Sequence, residues 1–571
     1  MTVKKSDFDG DGIAEVPVTS PWGIGILKLS GNTITAPMMA PNGTRFGGWL
    51  LNTADNRFDL MADFDGDGKT ELLVTSPWGI GILKLSGNTL TAPMMAPNGT
   101  RFGGWLLNTA DNRFGPVGDF DGDGKAEILF TSPWGIGILK LSGNTLTAPM
   151  MAQNGTRFGG WLLNTADNRF SPVGDVDGDG KAEIVISSPW GIGILKLSGN
   201  TLTAPMMAQN GTRFGGWLLN TVDNHVVTAA DLDGDGKAEI VITSPWGIGV
   251  LKLSGSKLTA PMMAPNGTRF GGWLLNTLDN RVGPVADFDG DGKSELLISS
   301  PWGIGVLKLA GNTFNVPMMA PNGTRFGGWL LNTADNHFDN LADFTGDGKA
   351  DILVTSPWGI GIFRFAGNTF NVPMMAQNGT RFGGWLLNTA DNRFELGEQT
   401  LRLHVKVLTN PTISIDRMVV AMQEVYESLG IRVQRVSTET LNLPALTDVD
   451  VGECNMGSVT TEQTQLFANR NNAWGSDVVV YFVRSTVPSF NGCAAHPAGQ
   501  PGAVVAQIAS VWTMGHEVGH VLGLPHCDAP GARLFNRLMT GGGTANITNP
   551  PPDVISAEVN TMRASALTFE T

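Results

Sequence analysis

Residues 63–118 read DFDGDGKTELLVTSPWGIGILKLSGNTLTAPMMAPNGTRFGGWLLNTADNRFGPVG, and this stretch is one of seven copies. Its opening D-x-D-G-D-G recurs at Asp7, Asp63, Asp119, Asp175, Asp231 and Asp287, with a variant at Asp343, always at the interval that separates Asp7 from Asp63. Self-similarity at such a period marks one supersecondary unit repeated along the chain. After the acidic loop come three β-rich runs, ELLVTSP, GIGILKLSG and TLTAPMM, punctuated by Gly, Asn and Pro, with no helical period. The stretch leading into the next loop supplies a fourth strand. One such four-stranded sheet cannot cover both of its own faces, so seven copies predict an all-β seven-bladed β-propeller over residues 1–398. A linear β-solenoid is the competing arrangement, but the interval is long for one rung and suits a blade.

In Asp63-Phe64-Asp65-Gly66-Asp67-Gly68-Lys69-Thr70-Glu71 the acids stand at positions 1, 3, 5 and 9, with Gly at 6 for a sharp turn. Crowded, hard oxygen donors suit Ca²⁺, and the Lys69 carbonyl is a further candidate ligand. The expected calcium ligands are Asp7, Asp9, Asp11 and Glu15; Asp63, Asp65, Asp67 and Glu71; Asp119, Asp121, Asp123 and Glu127; Asp175, Asp177, Asp179 and Glu183; Asp231, Asp233, Asp235 and Glu239; Asp287, Asp289, Asp291 and Glu295; and Asp343, Asp347 and Asp351. Up to seven structural Ca²⁺ follow. The copy-seven site should be the weakest, because Thr345 replaces the second aspartate and Asp351 the glutamate. Position 12 is Val74, where an EF-hand needs a glutamate, so the loop is of another kind. It resembles the D-x-D-x-D-G-x-x-D loop of the FG-GAP repeats in integrin-α propellers.

Two tryptophans recur in each copy, beginning with Trp22 in SPWG and Trp49 in GGW. Packing between blades is one reading. The other is a ring of sugar pockets, in which a flat aromatic face stacks on a pyranose while polar groups fix its hydroxyls. Trp22, Trp49, Arg45, Asn52 and Asp55, with their equivalents in every later copy, are the candidate sugar-binding residues. The G-G-W, G-D-G-x-x-(D/E) and G-I-G segments resemble the repeats of the fungal Psathyrella velutina lectin family, seven-bladed propellers that bind N-acetylglucosamine between blades. LLNTADN replaces that family's basic residues after the tryptophan. Asn42-Gly43-Thr44 and its equivalents satisfy a glycosylation sequon but read first as a tight turn.

The repeats stop near Phe394, and a different domain is expected over 399–571. There Met514–His526, MGHEVGHVLGLPH, contains H-E-x-x-H-x-x-G-x-x-H. His516 and His520, four apart on a helix, share a face. Gly523 permits a left-handed turn that returns His526 as a third ligand for one catalytic Zn²⁺, and Glu517 is the candidate general base. The stretch resembles the metzincin zinc peptidases, whose methionine turn is matched by Met539 in Arg537-Leu538-Met539-Thr540. The resemblance implies an α+β domain: strands at 400–408, 431–436 and 476–483, helices at 413–429 and 553–566, and an edge strand at 502–508 that pairs with substrate.

Composition limits the partners. A formal net charge of -14 argues against nucleic acid, and no apolar run is long enough to span a membrane. Residues 1–12 hold no apolar core of a secretory signal, although a removed signal leaves the same picture. Cys454, Cys493 and Cys527 allow one disulfide and a free thiol, or three thiols. Together the resemblances imply a secreted zinc metalloendopeptidase, aimed at glycans or glycoproteins by a lectin-like propeller and acting on peptide or protein substrates. The alternative is a carbohydrate-binding lectin or adhesin with a silent peptidase-like domain.

Overall fold

The computed structural model describes residues 6–570 except 54, 110, 166, 222, 278, 390, 395–398, 427–430, 472, 474–476, 529–533, 549, 564 and 566. The chain divides into two compact units, Met1–Gly397 and Glu398–Thr571. The junction expected at 398/399 falls at the edge of residues 395–398, which lie outside the described ones.

In the first unit, Arg57–Ala62, Glu71–Ser76, Gly79–Ser86 and Thr89–Pro97 form an antiparallel sheet in chain order, and the pattern repeats in the later copies. The outer strand of each sheet thus comes from the tail of the preceding copy. Copy one forms a sheet of three, Glu15–Ser20, Gly23–Ser30 and Thr33–Pro41. Its outer partner is Arg393, which exchanges backbone hydrogen bonds of 2.9 and 2.8 Å with Thr19, so the end of copy seven closes on copy one.

Apolar side chains fill both faces of the inner strands because each sheet is covered on both sides by neighbours. Seven apolar clusters result, one between each adjacent pair of copies, including Trp385 and Phe394 of copy seven with Val16 and Val18 of copy one. An open solenoid of seven units has one interface fewer, so the unit is a closed seven-bladed β-propeller. The two-residue hairpin Arg45–Phe46 with Trp49–Leu50, repeated in each copy, has no counterpart among the predicted strands.

The second unit is built on a mixed sheet in the order Ile431–Thr440, Gln399–Val407, Val478–Val483, Gly502–Ala506 and Gly492–Cys493. The first four are parallel, and Thr568–Glu570 adds antiparallel to Gln399–Leu401. The helix Ile415–Tyr426 is the crossover between two of the parallel strands, and its apolar side joins one core cluster with Leu401, Leu403, Val405 and Phe482. The expected helices start later, as Ile415–Tyr426 and Ser556–Arg563, and 427–429, 564 and 566 lie outside the described residues.

One expectation is overturned. Gly502–Ala506 is not an edge strand, because Gly492–Cys493 pairs antiparallel to its free side. Cys493, joined to Cys454 by a disulfide, anchors that covering strand, and Cys527 is a free thiol.

Candidate functional site

The helix Thr513–Val521 buries Met514, Val518 and Val521 in the core of the second unit and turns His516, Glu517 and His520 to another side. Gly523 has φ +102°, a conformation that L side chains rarely adopt, and beyond it the chain returns His526 to the first two histidines. The His516 Nε2 lies 3.1 Å from His520 Nε2 and 3.3 Å from His526 Nε2. On their other side, His516 Nδ1 meets the Leu538 carbonyl oxygen at 2.7 Å and His520 Nδ1 meets that of Leu524 at 2.6 Å. A carbonyl only accepts, so each Nδ1 donates and each Nε2 presents a lone pair.

Facing lone pairs repel unless a cation lies between them. Their spacing matches the edge, about 3.3 Å, of a tetrahedron with zinc–nitrogen bonds of about 2.0–2.1 Å. Burial, then the charge of His520, depresses His516 to about 3, and burial depresses His520 to about 4, so both are neutral ligands at pH 7. The residues present therefore fit zinc.

Around this centre lie the expected Met539 and Glu517, together with Gly519, Tyr426 and Gly492, which sequence reasoning missed. Met539, fully buried, packs against Gly519: a Cβ there would come within 2.6 Å of the methionine sulfur. Tyr426 donates 2.7 Å to the Gly515 carbonyl and holds the helix from behind. Glu517 is buried, and burial pushes its carboxyl up to about 8. Gly492 backs it, since a Cβ at that position would lie 2.6 Å from the carboxylate. The signal for both glycines exists only in space, because each is set by a residue on another element.

In the propeller the structure gathers Asp7, Asp9, Asp11 and Glu15, and the same set in other copies, with carboxylate oxygens within 4.8 Å of one another. It also brings in a residue absent from the expected site. Lys28 Nζ lies 2.5 Å from Asp9, 2.7 Å from Asp11 and 2.7 Å from Glu15. Lys308 stands 2.5, 2.7 and 2.8 Å from Asp289, Asp291 and Glu295, and Arg364 pairs with Asp347 in copy seven. Burial disfavours the Lys28 ammonium, yet the carboxylates of Asp11, Asp9 and Glu15 beside it outweigh burial and hold the group above the ordinary lysine range. The readable signal was a lysine at a fixed place after each glutamate, as Lys28 follows Glu15 and Lys84 follows Glu71.

The two tryptophans of a copy separate into different roles. Trp49, Trp105, Trp161, Trp217, Trp273, Trp329 and Trp385 are fully buried, so their assignment to sugar binding is corrected to packing. Trp49 donates 3.0 Å to Asn56 Oδ1, lies under Trp78 of the next copy at a centroid distance of 4.3 Å, and would meet a Cβ on Gly81 at 2.8 Å. Trp22 closes the ring in the same way on Trp385 at 4.4 Å, but is itself 40% exposed. Met95 reaches across the same seam to Gly48 beside Trp49. Five of the seven seams therefore present an exposed tryptophan, leucine and methionine, as in Trp78, Leu50 and Met95, while Trp190 and Met263 are partly buried at the other two. Asn52 donates 2.6 Å to Asp55 in a surface turn, and exposed Arg45 stands opposite Leu50 in the hairpin. Asn42 uses its amide on the Pro21 carbonyl and Thr53, fastening the Asn-Gly-Thr turn.

An FG-GAP-like repeat family matches residues 63–130, 119–186 and 175–242, all within the propeller. No curated protein is significantly similar to the chain. Among solved structures, the chain is similar to an Agrocybe aegerita lectin described as recognising non-reducing terminal N-acetylglucosamine (22% identity, 67% of this chain and 94% of the lectin, TM-score 0.47). It is also similar to a Photorhabdus luminescens Tc holotoxin pore (14% identity, 64% of this chain and 18% of that one, TM-score 0.31). A third is the periplasmic gluconolactonase of Pseudomonas aeruginosa (10% identity, 64% and 95%, TM-score 0.35). None of these descriptions names a peptidase.

Proposed function

We propose that the chain joins carbohydrate binding, along the seams of the propeller, to zinc-dependent peptide hydrolysis in residues 398–571. The observation that carries the hydrolytic reading is the convergence of three imidazole nitrogens at 3.1 and 3.3 Å beside a buried carboxyl. His516, His520 and His526 hold the metal, which when bound supplies Lewis acidity toward a peptide carbonyl. Leu538 and Leu524 orient two of the rings through their carbonyls. In its ionised form, which a bound cation beside it favours, Glu517 accepts the proton of the attacking water and returns it to the leaving amine. Gly492 leaves room for that carboxylate. The test is cleavage of a denatured protein with zinc restored after chelation. Zinc-dependent cleavage supports the reading, and stoichiometric zinc without cleavage across a broad peptide library removes it.

Carbohydrate binding rests on a separate observation, the exposed tryptophan rings at the seams, of which Trp22, Trp78 and Trp134 are 40%, 40% and 38% exposed. Such rings offer an apolar face to a pyranose, with the Asn52–Asp55 pair and Arg45 of each copy as candidate hydroxyl partners. Seven equivalent sites on one rigid ring make weak sites effective by avidity. N-acetylglucosamine-terminated glycans are the first ligands to test on an array. Binding that falls as Trp22-type residues are replaced by alanine supports the assignment, and an array without signal returns these rings to packing. A secreted location accords with the Cys454–Cys493 disulfide. Among the described residues no helix is long and apolar enough to cross a membrane.

A further inference from the structure

The loop spacing alone asks for calcium, yet a cation already stands in the cup. We infer that the propeller's acidic loops are filled by the chain itself, by Lys28 and its equivalents in each copy to Lys308 and by Arg364 in copy seven, so that the ring is complete without calcium.

Strand register delivers the cation. Glu15 lies directly across from Lys28, Glu71 from Lys84 and Asp351 from Arg364. An ammonium has three donors, and Lys28 meets three carboxylates at 2.5–2.7 Å. The other carboxylate oxygens serve the loop backbone. Asp7 accepts from Gly10 and Gly12 at 2.6 and 2.8 Å, Asp9 from Asp11 at 3.1 Å, Asp11 from Ile13 at 3.0 Å, and Glu15 from Phe8 at 2.7 Å. Asp9, Asp11 and Glu15 thus each turn one oxygen to the backbone and the other to the ammonium. Calcium needs about six to eight oxygens at about 2.3–2.6 Å, and must expel the lysine to reach them. Glu15 and Glu71 are nearly inaccessible, and a buried carboxylate needs a permanent partner.

The chain also contains its own control. Copy seven is the one copy whose acid set changes, with Thr345 for the second aspartate and Asp351 for the glutamate, and it is the one copy whose lysine changes, to Arg364. A calcium site gives residue 364 no reason to follow residues 345 and 351. A cup closed by a side-chain cation does: with threonine at 345, the longer arginine pairs with Asp347, while buried Asp351 keeps one oxygen without a hydrogen bond.

The test uses the full chain, with unfolding followed by tryptophan fluorescence. That signal reports the propeller, since only Trp474 and Trp512 lie outside the repeats. Wild-type protein is expected to melt at the same temperature in a calcium-selective chelator and in millimolar calcium. Lys84→Met, which alters one cup of seven and leaves the rest to hold the fold, is expected to melt at least about 2 °C lower in chelator. Calcium should restore it, with one ion bound per substituted copy by equilibrium dialysis. Lys84→Arg should remain indifferent to calcium. A wild-type melting temperature that climbs with calcium, stoichiometric calcium on the wild type, or a Lys84→Met variant as stable as wild type in chelator would each overturn the inference.

Discussion

In the propeller a basic side chain, its acids and two tryptophans stand at each of seven places, whereas in residues 398–571 three histidines and one glutamate stand once. The propeller spreads each interaction over a closed ring of near-identical interfaces, so a local lesion leaves the others intact. The second unit gathers its candidate chemistry from separated segments, the helix at 513–521, His526, the Leu538–Met539 turn and Gly492, around a single point. Losses in the ring should therefore be graded, and losses at the histidine centre all-or-none.

The largest expected effect tests the second half of that contrast. Glu517→Ala should keep fold and zinc content while kcat/KM for a peptide falls by about 10²–10⁴, or about 3–5 kcal/mol in the barrier. His520→Ala should release the metal as well, which atomic absorption separates from the first case. Equal activity of Glu517→Ala and wild type would remove the hydrolytic centre from the comparison.

Trp105→Ala tests the graded half. It empties a fully buried site at one seam and removes the indole donor 3.1 Å from Asn112 Oδ1, which keeps only the Asn108 N–H at 3.0 Å, at a cost of about 3–5 kcal/mol. Denaturant unfolding should show a weakened but closed ring, with the remaining seams intact. Trp78→Ala, at a 40% exposed ring, should cost far less stability and act on glycan binding instead. If the two variants destabilise alike, the division into buried and exposed tryptophans carries no functional meaning.

The smallest expected effect is a pH dependence confined to the second unit. His404 is buried between Ser437 at 2.8 Å and Asp477 at 3.0 Å, and burial lowers its pKa although Asp477 opposes the shift. A folded pKa below the unfolded one favours the neutral ring. Its contribution is present above the ordinary imidazole range and is lost as pH falls from about 6.5 through the folded pKa. Acid titration of stability should show this loss in wild type and a flatter profile in His404→Gln.

Period and spacing were legible because they are local. Copies that recur at one constant interval must bury identical faces against identical neighbours, so four strands per copy and a seven-membered β architecture follow from the sequence. The segment from His516 to His526 likewise holds its three imidazoles and Gly523 within reach through helix geometry and one turn. Contacts between elements were not legible. Ring closure by Arg393 on Thr19, the burial of Trp49 beneath Trp78 and the glycines at 492 and 519 depend on residues brought together only by packing. The same holds for the interior place of Gly502–Ala506, which a two-residue strand covers. Lys28 in its cup shows the reason most plainly. The sequence states how many acids and lysines each copy carries, but only the pairing of two strands decides that a given ammonium faces three given carboxylates.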